Sequence, residues 1–291
     1  MSRVYRSFAK VNLHLQVVGR RADGYHELRT LFQTIALHDV LEVELGGEGV
    51  RLAVEGADLP GDERNLAHRA AARFLERWAP EQGVELGLRK RLPVGGGLGG
   101  GSSNAATVLL ALRELVGRPQ RVADLWPLAR ELGADVPFFL VGGTALGFGR
   151  GDEVVPIPDL PEREIWLALP PVAVPTAEIF AALPAPMSAA LAAPILALAG
   201  GEPPPREWEA AAQNDLQELV LGRFTVIREV YTRLRAGGAR GVRLSGSGSS
   251  LLAWFEDAAR AEAVARTLPE GTRLERTRTV NRASVAALRG A

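Results

Sequence analysis

Apolar and polar residues alternate over the first twenty positions of the chain. One set of alternate positions is apolar: Ala9, Val11, Leu13, Leu15 and Val17. The positions between them are polar: Lys10, Asn12, His14 and Gln16. Because successive side chains of a strand point to opposite faces, the pattern predicts a β-strand over residues 4–18. We expect its polar face to meet solvent, with the lining of a cleft as the alternative.

The same two periodicities predict the other elements. Strands are expected at residues 28–37, 40–45, 50–55, 84–88, 142–155, 165–169, 251–255 and 273–280, with His38 and Asp39 interrupting the first two. Helices are expected at residues 62–78, 122–132, 175–183, 208–221, 223–235 and 257–268. Five prolines lie between residues 156 and 171. We therefore predict two domains, residues 1–155 and 156–291.

A glycine-rich loop lies between a predicted strand and a predicted helix. Six of the seven residues from Gly95 to Gly101 are glycine, and Ser102 and Ser103 follow. Glycine permits positive φ and close approach of a ligand, and successive free N–H groups form an anion site. The apolar residues that follow predict a helix that ends at Gly117, and one of the two serines is expected to cap it. A loop of this kind at a helix N-terminus favours phosphate.

Three other interpretations of this loop fit less well. A P-loop requires lysine where this chain has Ser102. Gly95, Gly97 and Gly100 match the dinucleotide pattern, but no acidic residue ends a second strand ~20 positions later. A flexible linker would be polar on both sides, whereas an apolar strand precedes this loop and an apolar helix follows it. A nucleotide-phosphate loop of another type is the favoured interpretation.

Composition and charge narrow the class of protein. The chain has 291 residues, of which 47% are hydrophobic and 23% charged, as is typical of a globular protein with a core. Its formal net charge is zero, so nucleic acid and acidic membranes are not expected partners. The absence of cysteine excludes disulfides and thiolate metal sites. A cytoplasmic protein without an obligate protein partner is expected.

Lysine is rare in this chain. Lysine and arginine together number 34, yet Lys10 and Lys90 are the two lysines. Where positive charge alone suffices, this composition supplies arginine. Each lysine therefore hints at a site that needs a compact ammonium group instead of a planar guanidinium.

Four segments together resemble a known family. The glycine-rich loop is similar to the nucleotide loop of the GHMP kinases. Residues 9–15 (AKVNLHL), 21–28 (RADGYHEL) and 133–139 (GADVPFF) resemble the 4-diphosphocytidyl-2-C-methyl-D-erythritol kinases within that superfamily. The resemblance extends from the first strand to Phe255. It implies an α+β fold of two domains with the active site in the cleft between them.

The resemblance also implies roles for individual residues. The catalytic pair corresponds to Lys10 and Asp135, and a turn or capping role is the alternative for Asp135. The ATP-binding residues correspond to Pro93, Val94, Gly95, Gly96, Gly97, Leu98, Gly99, Gly100, Gly101, Ser102 and Ser103. The substrate-binding residues correspond to Asn12, Tyr25, His26, Thr176 and Phe180, and Tyr25-His26 could alternatively be a packed hairpin end. The third superfamily motif corresponds to Ser245, Gly246, Ser247 and Gly248. Ser103 is a candidate Mg²⁺ ligand.

The implied reaction belongs to non-mevalonate isoprenoid precursor synthesis. The γ-phosphate of ATP, with Mg²⁺, would pass to the C2 hydroxyl of the cytidine diphosphate-linked methylerythritol. In this chemistry Asp135 takes or orients the hydroxyl proton, and Lys10 stabilises the carboxylate and the transferring phosphoryl group. Two alternatives stay open. One is another GHMP kinase, acting on homoserine, mevalonate or a sugar, and the other is a nucleotide-binding protein without catalysis.

Overall fold

A computed structural model describes residues 2–119, 121–183 and 212–290. Residues 184–211 lie outside the described chain, and they include the first part of the helix predicted at residues 208–221. No helix within the described ranges is both long and apolar enough to cross a lipid bilayer.

The first half of the chain forms a mixed six-stranded sheet. Its strands are β1 (Arg3–Arg20), β2 (His26–Leu45), β3 (Val50–Glu55), β4 (Val84–Arg89), β5 (Thr144–Phe148) and β6 (Glu153–Pro156). The order is β3-β4-β2-β5-β6, and β1 pairs with β2 outside this path. The β3–β4 pair is parallel and the other pairs are antiparallel. The long strand β2 pairs with β1, β4 and β5, and it therefore joins the two parts of the sheet.

Helices cover one part of this sheet and form the largest core with it. They are α1 (Leu66–Trp78), α2 (Gly100–Val116), α3 (Trp126–Leu132) and α4 (Val136–Val141), with a 3₁₀ turn at Val122–Leu125 before α3. Phe74 of α1, Leu109 of α2 and Phe138 of α4 are fully buried against the strands. Burying an aromatic or leucine side chain contributes about 1.5–3 kcal/mol. The core therefore fixes α2, and with it the loop that precedes α2.

The second half of the chain forms an antiparallel sheet of four strands. These are β7 (Glu164–Leu169), β8 (Arg240–Leu244), β9 (Leu251–Trp254) and β10 (Arg273–Arg278), in the order β10-β7-β9-β8. Its helices are α5 (Thr176–Ala181), α6 (Gln217–Arg223), α7 (Thr225–Ala236) and α8 (Ala258–Ala265). A further helix, α9 (Arg282–Arg289), returns to the first half, where Val285 packs with Phe8 and Val280.

The two sheets meet through a shared apolar cluster. Val11 and Leu13 of β1 pack in it with Leu167 of β7 and Leu252 of β9. The first sheet ends at Pro156 and the second begins at Glu164. The predicted α+β organisation is therefore confirmed. The predicted division at residues 155 and 156 lies close to the change of sheet, but it stays a prediction because α9 crosses back.

The expectation that the polar face of β1 meets solvent is wrong. Lys10, Asn12, His14 and Gln16 are all buried. Buried polar groups need partners, and some of those of this face come from distant parts of the chain. His14 Nδ1 accepts from the backbone N–H of Gln213 at 3.0 Å. The polar face is therefore buried between the two halves, and its Lys10 and Asn12 line a cleft there, which was the alternative interpretation.

Strand β2 continues through His38 and Asp39, so the predicted interruption is also wrong. The strand instead bulges just before these residues. Phe8 of β1 pairs with His38, whereas the next residue, Ala9, pairs with Ile35. Two residues of β2 are accommodated in the bulge, and pairing then continues. His38 and Asp39 therefore lie next to a bulge in β2 and do not mark the end of a strand.

Other predictions need smaller corrections. Ser102 and Ser103 do not cap α2: Gly99 is the N-cap, at φ 68°, without a side-chain cap, and both serines lie inside the helix. Residues 142–155 form the hairpin of β5 and β6 and not one strand. The described part of the predicted 208–221 helix is helical only from Gln217. Helices α4 and α9 were not predicted. Helix α4 is short and begins within Asp135-Val136-Pro137, a sequence typical of a turn.

Candidate active site

A cavity of about 550 Å³ lies between the two halves of the molecule. Lys10, Asn12 and Thr30 contribute to it from β1 and β2. Residues 93–102 contribute from the glycine-rich loop and the start of α2, and Gly246 and Ser247 from the second half. Three of the segments singled out in the sequence therefore converge on one cavity.

The glycine-rich loop contacts the loop between β8 and β9. Ser245 Oγ donates to the carbonyl oxygen of Gly97 at 3.0 Å, and Ser250 N–H donates to that of Gly96 at 3.1 Å. Gly97 has φ 75°, and a Cβ there would lie 2.1 Å from the Ser245 carbonyl oxygen. Glycine is therefore required both by conformation and by space. The glycine-rich loop and the loop between β8 and β9 therefore pack closely against each other.

Lys10 and Asp135 face each other in the cavity. Lys10 Nζ lies 3.3 Å from Asp135 Oδ2, and it donates to Asn12 Oδ1 at 2.6 Å. The lysine side chain is buried, whereas 31% of the Asp135 side chain is exposed. Asp135 stands at the N-cap position of α4 but caps no backbone N–H with its side chain. Its carboxylate is thus held by a cation and accessible from the cavity, which a capping residue would not need.

Asn12 is oriented by a chain of hydrogen bonds. Its Nδ2 donates to Thr30 Oγ1 at 2.7 Å, and that hydroxyl donates to the carbonyl oxygen of His14 at 2.7 Å. Because the amide nitrogen is engaged in this way, Oδ1 faces Lys10. Burial, assisted by the charge of Arg243, lowers the pKa of His14 from 6.5 to about 4. His14 is therefore neutral at physiological pH, and its hydrogen bond with Gln213 N–H holds strand β1 next to the site.

The other end of the cavity carries aromatic and hydroxyl groups. The rings of His26 and Phe180 lie 5.3 Å apart, and Thr176 Oγ1 lies 2.7 Å from Ser247 Oγ in a hydrogen bond. Tyr25 is 58% exposed, and the guanidinium of Arg150 lies 5.1 Å from its ring centroid. Phe180, Thr176 and Arg150 line the cavity. Of the five predicted substrate-side residues, Asn12, Thr176 and Phe180 line the cavity, and Asn12 contacts Lys10. Tyr25 and His26 do not line it themselves but contact Arg150 and Phe180, which do.

Comparison with known proteins accounts for this arrangement. The family model described as GHMP kinases N terminal domain matches residues 65–143, and that described as GHMP kinases C terminal matches residues 204–272. The 4-diphosphocytidyl-2-C-methyl-D-erythritol kinase of Deinococcus radiodurans is 42% identical over 267 residues, which are 90% of this chain and 87% of that protein. The chain belongs to this kinase family.

Further similarities agree with that membership. The kinase of the same description from Solibacter usitatus is 39% identical over 87% of this chain and 81% of its own. A crystal structure of 4-(cytidine 5'-diphospho)-2C-methyl-D-erythritol kinase superposes with a TM-score of 0.78 and 40% identity, covering 96% of this chain and 99% of that one. A homoserine kinase from Cytophaga hutchinsonii, at 23% identity and a TM-score of 0.72 over 96% of this chain and 95% of that one, shares the fold. The chain is accordingly an ATP-dependent phosphotransferase.

The position of Ser103 argues against its predicted role as a Mg²⁺ ligand of this kinase. Its hydroxyl donates to the carbonyl oxygen of Phe8 at 2.5 Å and accepts from Ser7 Oγ at 2.8 Å, and the residue is buried. Among the described residues, no three His, Cys, Asp or Glu side chains form a metal-binding group. Mg²⁺ in kinases is commonly held by substrate phosphates and one or two protein oxygens. Asp135 and Ser102 are residues with side-chain oxygens that line the cavity.

The sequence interpretation missed several residues of this kinase site. Arg150, Asn65, Lys90 and Asn104 line the cavity, and none had been assigned to it. Asn65 caps α1, since its Oδ1 accepts from Ala67 N–H at 3.0 Å. The rarity of lysine was a signal for Lys90, whereas arginine is too common in this chain for Arg150 to stand out.

Proposed function

We propose that this kinase transfers the γ-phosphate of ATP to the C2 hydroxyl of 4-diphosphocytidyl-2-C-methyl-D-erythritol. The observation that carries the proposal is the Lys10–Asp135 ion pair, whose carboxylate is accessible in a cavity that the glycine-rich loop and Phe180 also line. Relatives of that description, about 40% identical over most of the chain, support the choice of substrate. The cytoplasmic location expected from the sequence stays a prediction.

The phosphates of ATP bind at the glycine-rich loop. Gly95, Gly97 and Gly99 have φ values of 72°, 75° and 68°, so the backbone folds into a concave turn at the N-terminus of α2. Free amides and the helix dipole there attract phosphate. At Gly99 a Cβ would lie 2.8 Å from the Phe139 ring, which leaves no room for a side chain between the loop and the catalytic pair.

The acceptor hydroxyl lies beside Asp135. Phosphoryl transfer requires positioning of the nucleophile and neutralisation of the developing charge. The Asp135 carboxylate accepts the hydroxyl proton, and the Lys10 ammonium stabilises both that carboxylate and the oxygens of the transferring group. Asn12, fixed through Thr30, holds Lys10 in place. Ser102 and Asp135 are the residues that would contact Mg²⁺ carried with ATP, which would neutralise phosphate charge.

The cytidine moiety binds at the aromatic end. The rings of Tyr25, His26 and Phe180 offer faces for stacking, which contributes roughly 1–3 kcal/mol per base. Burial and the charge of Arg20 lower the pKa of His26, which favours the neutral imidazole, and that form can donate or accept at a base edge. Thr176 and Ser247 provide hydroxyl groups next to these rings.

A panel of alcohols tests the proposal. The purified protein with Mg²⁺ and ATP is incubated with the cytidyl substrate, homoserine, mevalonate and galactose, and ADP release is measured. The cytidyl substrate should give by far the highest kcat/KM. Equal or better turnover of one of the other alcohols would point to another GHMP kinase, and the absence of any turnover would favour a nucleotide-binding protein without catalysis.

Replacement of Tyr25 tests the aromatic end separately. Tyr25→Ala removes an exposed ring and should raise the KM for the cytidyl substrate about 5- to 100-fold, from the loss of one stacking face. The KM for ATP should stay within twofold. Tyr231→Ala, which removes from α7 a half-buried ring that contacts Arg235 and does not line the cavity, is the control. A parallel rise of both KM values would contradict the assignment of Tyr25.

A further inference from the structure

Asp39 is buried beneath the glycine-rich loop and has no exposed surface. Its carboxylate accepts four hydrogen bonds. Two come from the backbone N–H groups of Arg91 and Leu92, at 2.7 and 2.9 Å. The others come from Lys90 Nζ, which also forms an ion pair with it, and from Asn104 Nδ2 at 3.0 Å. A fully buried carboxylate with this many donors is held in one position.

The four donors lie on both sides of the glycine-rich loop. Lys90, Arg91 and Leu92 come directly before Pro93, and Asn104 follows Ser103 in α2. Lys90 Nζ also donates to Asn104 Oδ1 at 3.3 Å, so the two sides contact each other as well as Asp39. The Asp39 side chain of β2 therefore connects the segment before the glycine-rich loop to the helix after it, so both ends of the loop are held in place.

We propose that Asp39 is a positioning residue that holds the glycine-rich loop in its nucleotide-binding conformation and thereby raises the affinity for ATP. The proposal rests on the proposed kinase function. Asp39 acts through its four donors, of which Lys90 and Asn104 line the cavity. A loop fixed before binding loses less conformational entropy when phosphate binds, and the saving appears as affinity.

Only an ionised carboxylate suits this position. It has about four lone-pair sites and no donor, whereas an asparagine amide has two N–H donors of its own. Asp39→Asn keeps the size of the side chain but places an NH₂ group against Lys90, Asn104 or the backbone N–H groups. At least one side of the loop then loses its anchor.

Asp159 provides a matched control. Its carboxylate also accepts from two backbone N–H groups, those of Thr144 at 2.7 Å and Arg282 at 2.9 Å, and it forms an ion pair with the Arg282 guanidinium at 3.6 Å. These partners belong to β5 and α9 and not to the glycine-rich loop. Asp159→Asn therefore disturbs a similar network without touching the nucleotide site.

Calorimetric titration of the full chain with ADP tests the proposal, together with the KM values for both substrates. Asp39→Asn should weaken ADP binding and raise the KM for ATP, each by about tenfold or more, as expected for loss of hydrogen bonds to a charged group. The KM for the cytidyl substrate should change less than twofold. Asp159→Asn should bind ADP like the wild type. Amide exchange in the nucleotide-free protein should be faster at residues 95–99 in Asp39→Asn only.

Three outcomes would overturn the proposal: ADP binding by folded Asp39→Asn within twofold of wild type, equal weakening in Asp159→Asn, or an equal rise of both KM values. If Asp39→Asn does not fold, Asn104→Ala removes the anchor on the α2 side. Faster amide exchange at residues 95–99 without nucleotide then supports the proposal, and unchanged exchange overturns it. ADP binding does not depend on the acceptor alcohol, so failure of the proposed substrate leaves this test intact.

Discussion

The two lysines of the chain each pair with an aspartate, and the two pairs differ in access. Lys10 and Lys90 are both buried, but 31% of the Asp135 side chain is exposed to the cavity whereas that of Asp39 is completely enclosed. Asp135 caps nothing and retains lone pairs for a hydroxyl group. All the acceptor capacity of Asp39 is used by protein donors.

This difference in access suits Asp135 to a role in the reaction and Asp39 to a structural role. A carboxylate can accept a substrate proton only if substrate can reach it and some of its lone pairs are free. An enclosed carboxylate with four donors can only fix the positions of those donors. Removal of charge should therefore impair the reaction at the first pair and the stability and loop geometry at the second.

The largest effect is expected for Asp135→Asn. The variant keeps the shape of the side chain but loses its charge and most of its proton affinity. Its kcat should fall by about 10²–10⁴-fold, the range for loss of a general base. ADP affinity and melting temperature should stay near wild type, because the proposed phosphate site is the glycine-rich loop. Steady-state kinetics and calorimetry provide the measurements.

A double variant sharpens this expectation. Lys10→Ala should also lower kcat, and Lys10→Ala/Asp135→Asn should be little slower than the slower single variant, since residues that act as a unit are not additive. A plain turn residue would tolerate asparagine, which adopts the same backbone conformations. A folded Asp135→Asn enzyme with more than half of the wild-type kcat would exclude the catalytic role.

The next largest effect is on stability, and it should distinguish the two lysines. Lys90→Met leaves the enclosed Asp39 charge without its cation and should lower the free energy of unfolding by about 3–5 kcal/mol. Lys10→Met should cost much less, because water from the cavity can reach Asp135. Urea denaturation of both variants measures the difference, and equal losses would show that access does not separate the pairs.

A smaller effect on stability concerns the buried imidazole of His14. Burial lowers the pKa of His14 to about 4 in the folded state, against 6.5 when unfolded. The unfolded chain therefore binds the proton more tightly, so stability falls as pH decreases from about 6.5 to about 4. The loss should reach about 3 kcal/mol.

Comparison with His14→Asn isolates this contribution. Asparagine Oδ1 can take the place of Nδ1 as the acceptor from Gln213 N–H, and it does not titrate in this range. Between pH 7 and pH 4, the unfolding free energy of the wild type should fall by about 3 kcal/mol more than that of His14→Asn. A constant difference across this range would contradict the assignment.

The sequence predicted the parts of the site that depend on local constraints. A run of glycines at positive φ and a helix with Gly117 at its C-cap leave direct traces in the residue pattern. Lys10 and Asp135 came from motif resemblance. Their 3.3 Å separation, by contrast, depends on packing between β1 and α4, which no local pattern encodes.

The mistakes arose where tertiary contacts override local preference. Alternation identified β1 correctly but could not tell a solvated polar face from one that lines a cavity. His38 and Asp39 look like a turn because charged and polar residues are uncommon in a buried strand. Asp39 lies there because its partners, Lys90 and Asn104, are contributed by distant segments. Resolving either point requires the positions of residues far away in the chain.

Residues 280–289, which include α9, contact the first half of the chain and affect the order in which the protein folds. Gln33 Nε2 donates to the carbonyl oxygen of Val280 at 2.9 Å, across 247 positions of sequence, and Val285 packs against Phe8 of the first strand. Contacts this distant along the chain close late and slow folding. During synthesis, the outer side of β1 stays uncovered until residues 280–289 have left the ribosome. A nascent chain lacking them should be the species most in need of a chaperone.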